Sequence, residues 1–248
     1  MTMSDEARIE FPMRLNRYIA LCGIAARRKA ERLIISGRVT VGNVVELSPG
    51  RVLSGPEEVR VDGIVIGCAR GAYIVMNKPR GVLSAVSDAR EQTVLDLLPD
   101  FYRSLGVFPV GRLDSDSEGL MILTNDGKFA HKLMHPSSGV KKTYIVFLRH
   151  VLERKQMMEW TRGVIIEGRV AKPLEISPAG DGQRCVRIVL EEGFKREIRL
   201  MAKALGNRVV RLQRIGIGAL FLKKLPLGAF CEYNYEDLQN MLIKGGEV

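Results

Sequence analysis

The sequence predicts an α+β fold in two parts, a small N-terminal part at residues 13–67 and a larger part at residues 71–248. In the first part, two amphipathic helical patterns precede short valine-rich strands. In the second, strand patterns and helical patterns follow one another without regular alternation, which favours a mixed or antiparallel sheet over a parallel one. The link between the parts is poor in large side chains and reads Gly67-Cys68-Ala69-Arg70-Gly71.

Local signals define each element of the first part. Apolar residues at helical spacing predict helices over Leu15–Cys22 and Arg27–Ser36, each followed by a glycine. Two pairs of short strands flank turn sequences, and Asp62-Gly63 between the second pair is a strong hairpin signal. The strands are predicted at Val39–Val41, Val44–Val45, Val59–Val61 and Ile64–Ile66.

The second part contains six apolar strand patterns and four helical patterns. The strands are predicted at Tyr73–Met76, Leu120–Leu123, Tyr144–Leu148, Val164–Ile166, Cys185–Leu190 and Val209–Leu212. The helices are predicted at Lys128–Met134, Leu152–Thr161, Arg196–Leu205 and Tyr235–Ile243.

Charge indicates a polyanionic partner. The net charge is +10, and residues 14–38 hold seven basic side chains against one acid. Such clustering favours nucleic acid over the alternative of a merely basic, soluble protein. The sequence has no apolar run long enough to span a membrane and no secretion signal. Four distant cysteines fit no ligand or disulfide spacing, so we expect free thiols and a cytoplasmic location.

A polar, glycine-bounded loop is the most informative segment. It runs from Gly111 to Gly119 between two apolar strands and carries Arg112 with three acids, Asp114, Asp116 and Glu118. Loops held between rigid strands are common sites of chemistry. An isolated Arg-x-Asp is more often part of a surface turn, in which Arg112 and Asp114 would form an ion pair. The sequence around the motif must therefore distinguish a surface turn from a functional site.

The sequence from Gly111 to Gly127 closely resembles the catalytic motif of pseudouridine synthases, and in particular of the RsuA-type branch that modifies ribosomal RNA. The N-terminal part resembles the S-four-like RNA-binding module. Ser117, Phe194 and Glu197 depart from the usual family residues. The matching segments cover nearly the whole chain: Arg14–Ile19, Ala25–Ala30, Gly37–Asn43, Met76–Val82, Thr93–Pro99, Phe108–Val110, His135–Pro136, Lys142–Val146, Glu192–Met201, Arg211–Gly216 and Leu225–Gly228.

The resemblance implies a central, mostly antiparallel sheet, a helix-rich RNA-binding module and the conversion of a uridine to pseudouridine. Asp114 would act at the anomeric carbon of a flipped-out uridine, Arg199 would pair with Asp114, and Tyr144 would stack on the base. Arg112 and Ile198 would hold the nucleotide. Further predicted substrate-binding residues are Lys78, Arg80, Lys142 and Arg196, and predicted phosphate contacts of the module are Arg14, Arg27, Arg28, Lys29 and Arg38.

Weaker patterns predict no metal and no organic cofactor. His131 and His135 have helical i, i+4 spacing but no third ligand nearby, and Gly216-x-Gly218 lacks the context of a dinucleotide fingerprint. We expect a monomer that acts on ribosomal RNA. The wording around Asp114 and Tyr144 favours the large subunit, with the small subunit as the alternative. A non-catalytic ribosome-assembly factor is a second alternative. A DNA-binding regulator would need a recognition helix, and the sequence shows no pattern for one.

Overall fold

The computed structural model describes residues 12–55, 57–67, 71–180, 184–191 and 193–248, and this part of the chain contains three separate apolar cores. The first core contains only residues from Met13 to Ile66. The other two contain residues from Ala72 onward. Of the predicted link, Cys68, Ala69 and Arg70 lie outside the described residues.

The N-terminal segment, residues 12–67, combines two helices with short strands. The helices are α1 (Leu15–Leu21) and α2 (Arg27–Ile35). The strands are β1 (Met13–Arg14), β2 (Val39–Val41), β3 (Val44–Val45), β4 (Val52–Leu53), β5 (Val59–Val61) and β6 (Ile64–Ile66). They form an antiparallel sheet in the order β3-β2-β5-β6 and a separate β1–β4 pair. The predicted helix-rich composition is not confirmed, because these strands accompany the two helices. The strands β1 and β4 were not predicted, because strands of two residues show no periodicity in sequence.

Turn chemistry explains both hairpins of this segment. Gly42 and Asn43 have φ of 54° and 68°, and Asp62 and Gly63 have φ of 51° and 80°. Positive φ at both central residues defines the turn type whose twist matches antiparallel strands, and glycine, asparagine and aspartate adopt it most readily. The hairpin predicted from Asp62-Gly63 is confirmed by the pairing of β5 with β6.

A ten-stranded sheet organises the second segment. Its strands are β7 (Tyr73–Lys78), β8 (Phe108–Val110), β9 (Glu118–Thr124), β10 (Lys142–Leu148), β13 (Glu175–Pro178), β14 (Cys185–Leu190), β15 (Val209–Ile217), β16 (Leu220–Phe221), β17 (Phe230–Tyr233) and β18 (Gly246–Glu247). Their main order is β13-β14-β10-β15-β9-β7-β17, while β8 pairs with β9, and β16 joins β15 to β18. A separate hairpin joins β11 (Val164–Ile166) to β12 (Arg169–Ala171). The sheet is mixed: β15 runs parallel to β9 and β16 to β18, and its other described pairings are antiparallel.

Helices cover both faces of the sheet. They are α3 (Asp100–Ser104), α4 (Gly127–Met134), α5 (Arg154–Arg162), α6 (Glu197–Ala204) and α7 (Tyr235–Lys244), with 3-10 turns at Val94–Leu97 and Pro136–Ser138. Met121 and Leu123 face the core that contains residues of α3, α5 and α6. Leu120 and Ile122 face the core that contains residues of α4 and α7. Because both of its faces are covered, β9 contains a continuous run of apolar residues, Leu120–Leu123.

The central parallel pair depends on one glycine. Gly119 has φ of +112°, and a Cβ there would lie 2.2 Å from the carbonyl oxygen of Arg214. Only glycine permits this backbone contact, which fixes the start of β9 against β15. Among the described cysteines, Cys22, Cys185 and Cys231 form no disulfide, and Cys68 lies outside the described residues. No helix in the described part is long and apolar enough to cross a membrane.

Candidate active site

Asp114 lies on the connection from β8 to β9, here called the aspartate loop (residues 111–117). Val110 pairs with Ile122, so the two strands close around the loop. The Ser117 amide donates to the Asp114 carbonyl at 3.0 Å, which forms a turn. The Asp114 side chain is 27% exposed. A fixed backbone therefore presents a carboxylate that a ligand can reach.

The chain that leaves β7 forms a second support for the loop. The Gly81 amide donates to the Ser115 carbonyl at 2.7 Å. The Ser84 hydroxyl donates to the Leu113 carbonyl at 2.6 Å and accepts from the Leu113 amide at 3.0 Å. The polar backbone groups on both sides of Asp114 are thus satisfied by one neighbouring segment.

Lys78, at the end of β7, lies beneath the aspartate loop with no exposed surface. Its ammonium donates to the carbonyls of Ser117 at 2.8 Å, Pro79 at 3.0 Å and Asp114 at 3.3 Å. Burial and the nearby Arg214 charge lower the Lys78 pKa to about 8, although Asp114 and its neighbouring acids oppose the shift. An ammonium has three N–H donors, and all three are used. The prediction that Lys78 binds substrate is therefore corrected: it holds the loop.

Arg199, on α6, supports the same loop from another side. Its Nη2 donates to the Asp116 carbonyl at 3.0 Å and the Ser117 hydroxyl at 3.1 Å, and pairs with the Asp116 carboxylate at 3.1 Å. Burial lowers the pKa of the guanidinium from its ordinary value, and the Asp116 charge partly offsets this. The predicted Arg199–Asp114 pairing is thus corrected, because the direct partner is Asp116, two residues further along the loop.

Arg196, immediately before α6, lies within ion-pair distance of both loop carboxylates. Its Nη2 lies 3.1 Å from Asp116 Oδ2, and its Nη1 lies 3.8 Å from Asp114 Oδ2. Its left-handed backbone, with φ of 58°, is rare for a residue with a Cβ and aims the side chain at the loop. Burial raises the pKa of Asp116, but the Arg196 hydrogen bond and the Arg199 charge outweigh it, and the net shift is downward.

Tyr144 and Ile198 form the apolar side of the site. Both are buried, at 9% and 4% exposure, and they share a core with Leu113 of the aspartate loop. Tyr144 lies on β10 opposite Arg214 of β15, and Ile198 lies on the first turn of α6. The structure thus brings the predicted tyrosine and aliphatic residue into the same core as the loop.

The other predicted substrate-binding residues differ in availability. Arg112 and Arg80 are exposed, and the Arg80 charge contributes to the lowered pKa of Arg199. Lys142 is half-buried at the start of β10, and its ammonium donates to the Glu191 carbonyl at 3.0 Å. Burial and the Arg214 charge lower the pKa of Lys142. Arg80 and Arg112 therefore offer free charge at the loop, whereas Lys142 is partly committed to the backbone.

Sequence reasoning missed two supports of the site. Asp116 accepts from Arg196 and pairs with Arg199, and its only signal was its place two residues after Asp114. Glu118, with a side chain 4% exposed, pairs with Arg211 at 2.5 Å and so joins β9 to β15. These residues lie 93 positions apart, and no local pattern relates them.

The predicted phosphate contacts of the N-terminal segment fall into two groups. Arg14, Arg27, Arg28 and Lys29 are exposed. Arg38 is also exposed, but it donates to both carboxylate oxygens of Asp62 at 2.7 and 2.5 Å. This hydrogen-bonded pair raises the pKa of Arg38 and lowers that of Asp62. The charge of Arg38 is thus already neutralised within the protein.

The histidines considered as metal ligands stack on each other. The rings of His131 and His135 have centroids 4.9 Å apart, and His135 Nδ1 lies 2.7 Å from the Ser137 hydroxyl. Within the part of the chain that the structure describes, no group of three or more His, Cys, Asp or Glu side chains could hold a metal ion.

The geometry defines a site for chemistry on an uncharged centre that becomes electron-poor. A reachable carboxylate on a rigid loop can attack such a centre or stabilise positive charge on it. Arginines bordering it can hold phosphates, and a buried tyrosine offers a flat face for a base. These features can accommodate a substrate that carries phosphates and a planar base.

Comparison with known proteins identifies the family. Residues 72–204 match the family described as RNA pseudouridylate synthase. The chain is 37% identical to the uncharacterised RNA pseudouridine synthase YtzG of Bacillus subtilis, over 91% of this chain and 97% of that one. It is 34% identical to ribosomal large subunit pseudouridine synthase B of the same organism, over 87% and 89%. A crystal structure of a pseudouridylate synthase aligns at a TM-score of 0.66 and 26% identity, covering 92% of this chain and 98% of the other.

The chain belongs to the RNA pseudouridine synthase family. It is an isomerase that converts uridine to pseudouridine in RNA.

Proposed function

We propose that the protein isomerises one uridine of large-subunit ribosomal RNA, with Asp114 as the residue that acts on the ribose. The observation that carries this proposal is a partly exposed carboxylate on a loop whose carbonyls are held by Lys78 and whose acidic neighbour is held by Arg199. A similar protein named for the large ribosomal subunit supports the choice of RNA.

The reaction needs no cofactor to balance. The bond between N1 of uracil and C1′ of ribose breaks, the base turns, and C5 forms a new bond to C1′. The C5 hydrogen leaves as a proton, and N1 gains one, so no electrons are lost or gained. Asp114 acts at C1′, either by attack or by stabilising positive charge as the bond breaks. Tyr144 and Ile198 provide the apolar faces that hold the detached base.

The cations of the site have separate tasks in this proposal. Arg112 and Arg80 are exposed beside the loop. They contact phosphates or fill the space that the flipped base leaves in the RNA. Arg196 lies 3.8 Å from the Asp114 carboxylate and offers it a positive partner when substrate excludes water. Arg199 and Lys78 act through the loop and touch no substrate.

Two other functions make different predictions. A ribosome-assembly factor would bind RNA and leave uridine unchanged, and it would not need Asp114, Tyr144 and Arg199 in one place. An enzyme for small-subunit RNA would use the same residues and differ in its target.

Chemical mapping of pseudouridine in ribosomal RNA from cells with and without the gene tests the proposal. We expect one large-subunit site to disappear, and to return with the wild-type gene but not with Asp114→Asn. Loss of a small-subunit site would contradict the choice of subunit. An unchanged pattern in both RNAs would contradict ribosomal RNA as the substrate.

A further inference from the structure

We propose that a groove between the N-terminal segment and α4 binds a single-stranded stretch of the substrate RNA. We call it the basic groove. One wall carries Arg14, Arg17, Arg27 and Lys29, and the other carries Lys128 and Lys132. The proposal rests on the proposed function only in that the ligand is RNA, and it assigns α4 a role that the motifs do not indicate.

Charge is the first argument. Within the described residues that line the groove, no acidic side chain is present. Arg14, Arg17, Arg27, Lys29 and Lys132 form no ion pair in the described part of the chain, in contrast to Arg38. Lys128 and Lys132 are four residues apart on α4, so their side chains project from the same face of the helix. Two cationic walls facing each other match the charge of a phosphate backbone.

Apolar side chains also line the groove. Ile24 and Val86 are 43% and 49% exposed, and Phe108 is an aromatic residue of the same lining. Bases of single-stranded RNA can pack on such side chains, with Phe108 as the aromatic face, while phosphates contact the cations. A duplex keeps its base faces stacked inside the helix and would leave these side chains without a base face to contact.

The size of the groove fits an extended ligand. The groove has a volume of about 1210 Å³, which is above the usual range of about 300–1,000 Å³ for small-molecule sites. Its large volume and its charge both fit several nucleotides of a longer chain.

The groove has a rigid base and a connection to the aspartate loop. A Cβ on Gly23 would lie 2.0 Å from the Ser104 carbonyl, and one on Gly106 would lie 3.1 Å from Gly23 Cα. The N-terminal segment and the sheet domain are therefore packed backbone to backbone at this point. Val86 and Ser87 line the groove, and Ser84 of the same loop is hydrogen-bonded to Leu113. RNA bound in the groove thus lies next to a segment that supports Asp114.

Binding measured against salt concentration tests the assignment. The variant Lys128→Gln/Lys132→Gln removes two cations of α4, and Arg154→Gln/Lys155→Gln removes two exposed cations of α5, outside the groove. The probes are unmodified transcripts of bacterial large-subunit and small-subunit ribosomal RNA. We expect the α4 variant to lower the slope of log affinity against log salt by at least about 0.7, which is the contribution of one phosphate contact in single-stranded RNA. The α5 control should change it much less.

Equal slopes for the two variants would overturn the proposal. Both side-chain pairs are exposed, and equal urea midpoints for the variants and wild type would confirm that each folds. The slope is measured without turnover on both transcripts, so a wrong choice of ribosomal subunit leaves this test intact and appears only in the pseudouridine map.

Crosslinking locates the bound strand independently. Transcripts that contain 4-thiouridine are irradiated with the wild-type protein, and crosslinked peptides are identified by mass spectrometry. We expect crosslinks to peptides that contain Ile24, Val86 or Phe108. Crosslinks restricted to peptides outside the groove would show that the strand follows another path.

Discussion

The cations beneath the aspartate loop and those around the basic groove carry the same charge in opposite settings. Lys78 has no exposed surface, and its three N–H groups all go to carbonyl oxygens. Lys132 is exposed and forms no ion pair within the described residues. The buried set fixes the position of a carboxylate, whereas the exposed set is available to a polyanion. The net charge of +10 counts both sets alike.

This difference shows that basic residues in an RNA-modifying enzyme need sorting by burial before they are assigned to RNA. A cation already saturated by carbonyls releases no counterions when RNA binds, so it adds nothing to the salt dependence of affinity. Its loss should instead appear in stability and in the rate of reaction. The predictions below use this separation, starting with the largest expected effect.

The largest effect should distinguish the reacting acid from the supporting acid of the loop. Asp114→Asn should lower the single-turnover rate of pseudouridine formation at least about 1,000-fold, because it removes the charge that acts at C1′. Asp116→Asn makes the same isosteric change two residues away and should cost much less rate, since Asp116 contacts arginines. Equal losses in both variants would mean that the loop carboxylates act as a unit.

Removing a buried cation should reduce stability without affecting salt dependence. Lys78→Met leaves three carbonyls without a donor, and we expect the free energy of unfolding in urea to fall by about 2–4 kcal/mol. The reaction rate should also fall as Asp114 loses its fixed position. The slope of log affinity against log salt should match wild type. A reduced slope would show that Lys78 contacts phosphate after all, and Lys155→Met serves as an exposed control.

The pH dependence of stability should identify the same lysine. With a pKa of about 8 when folded and 10.5 when unfolded, Lys78 is deprotonated in the folded chain while the unfolded chain still holds its proton. The unfolded state then binds more protons, so this group makes the free energy of unfolding rise between pH 8 and 10.5. The slope of the free energy of unfolding against pH should be more positive for wild type than for Lys78→Met, by up to about 1.4 kcal/mol per pH unit. Parallel curves for the two proteins would contradict the lowered pKa.

The smallest effect should come from Arg38, which resembles the groove cations in sequence but is paired. Arg38→Gln should leave the salt slope of RNA binding nearly unchanged, because Asp62 already neutralises the guanidinium. Arg17→Gln should lower the slope by about 0.7. The double variant Arg38→Gln/Asp62→Asn controls for the carboxylate that Arg38→Gln leaves unpaired. A slope change for Arg38→Gln as large as that for Arg17→Gln would place Arg38 on the RNA-binding surface.

The sequence determined the positions of most elements. Periodicity predicted α4 from Lys128 to Met134, and the structure begins it one residue earlier. Asp62-Gly63 predicted a hairpin because the required φ values are a property of those residues. The strands β1 and β4 have two residues each and escaped prediction, because no period can be read from them. Unlike the equally short β3, they are not paired across a tight turn that would signal a hairpin.

Only the tertiary structure decided which charges meet. Arg199 was expected to pair with Asp114, and it pairs with Asp116, 83 residues away. Lys78 looked like an exposed ligand-binding lysine and is buried because the aspartate loop closes over it. The basic groove joins residues of α1 and α2 to α4, about one hundred positions later. Local conformation follows from neighbouring residues. Burial and the choice of charge partners depend on packing between residues far apart in sequence, which local sequence patterns do not specify.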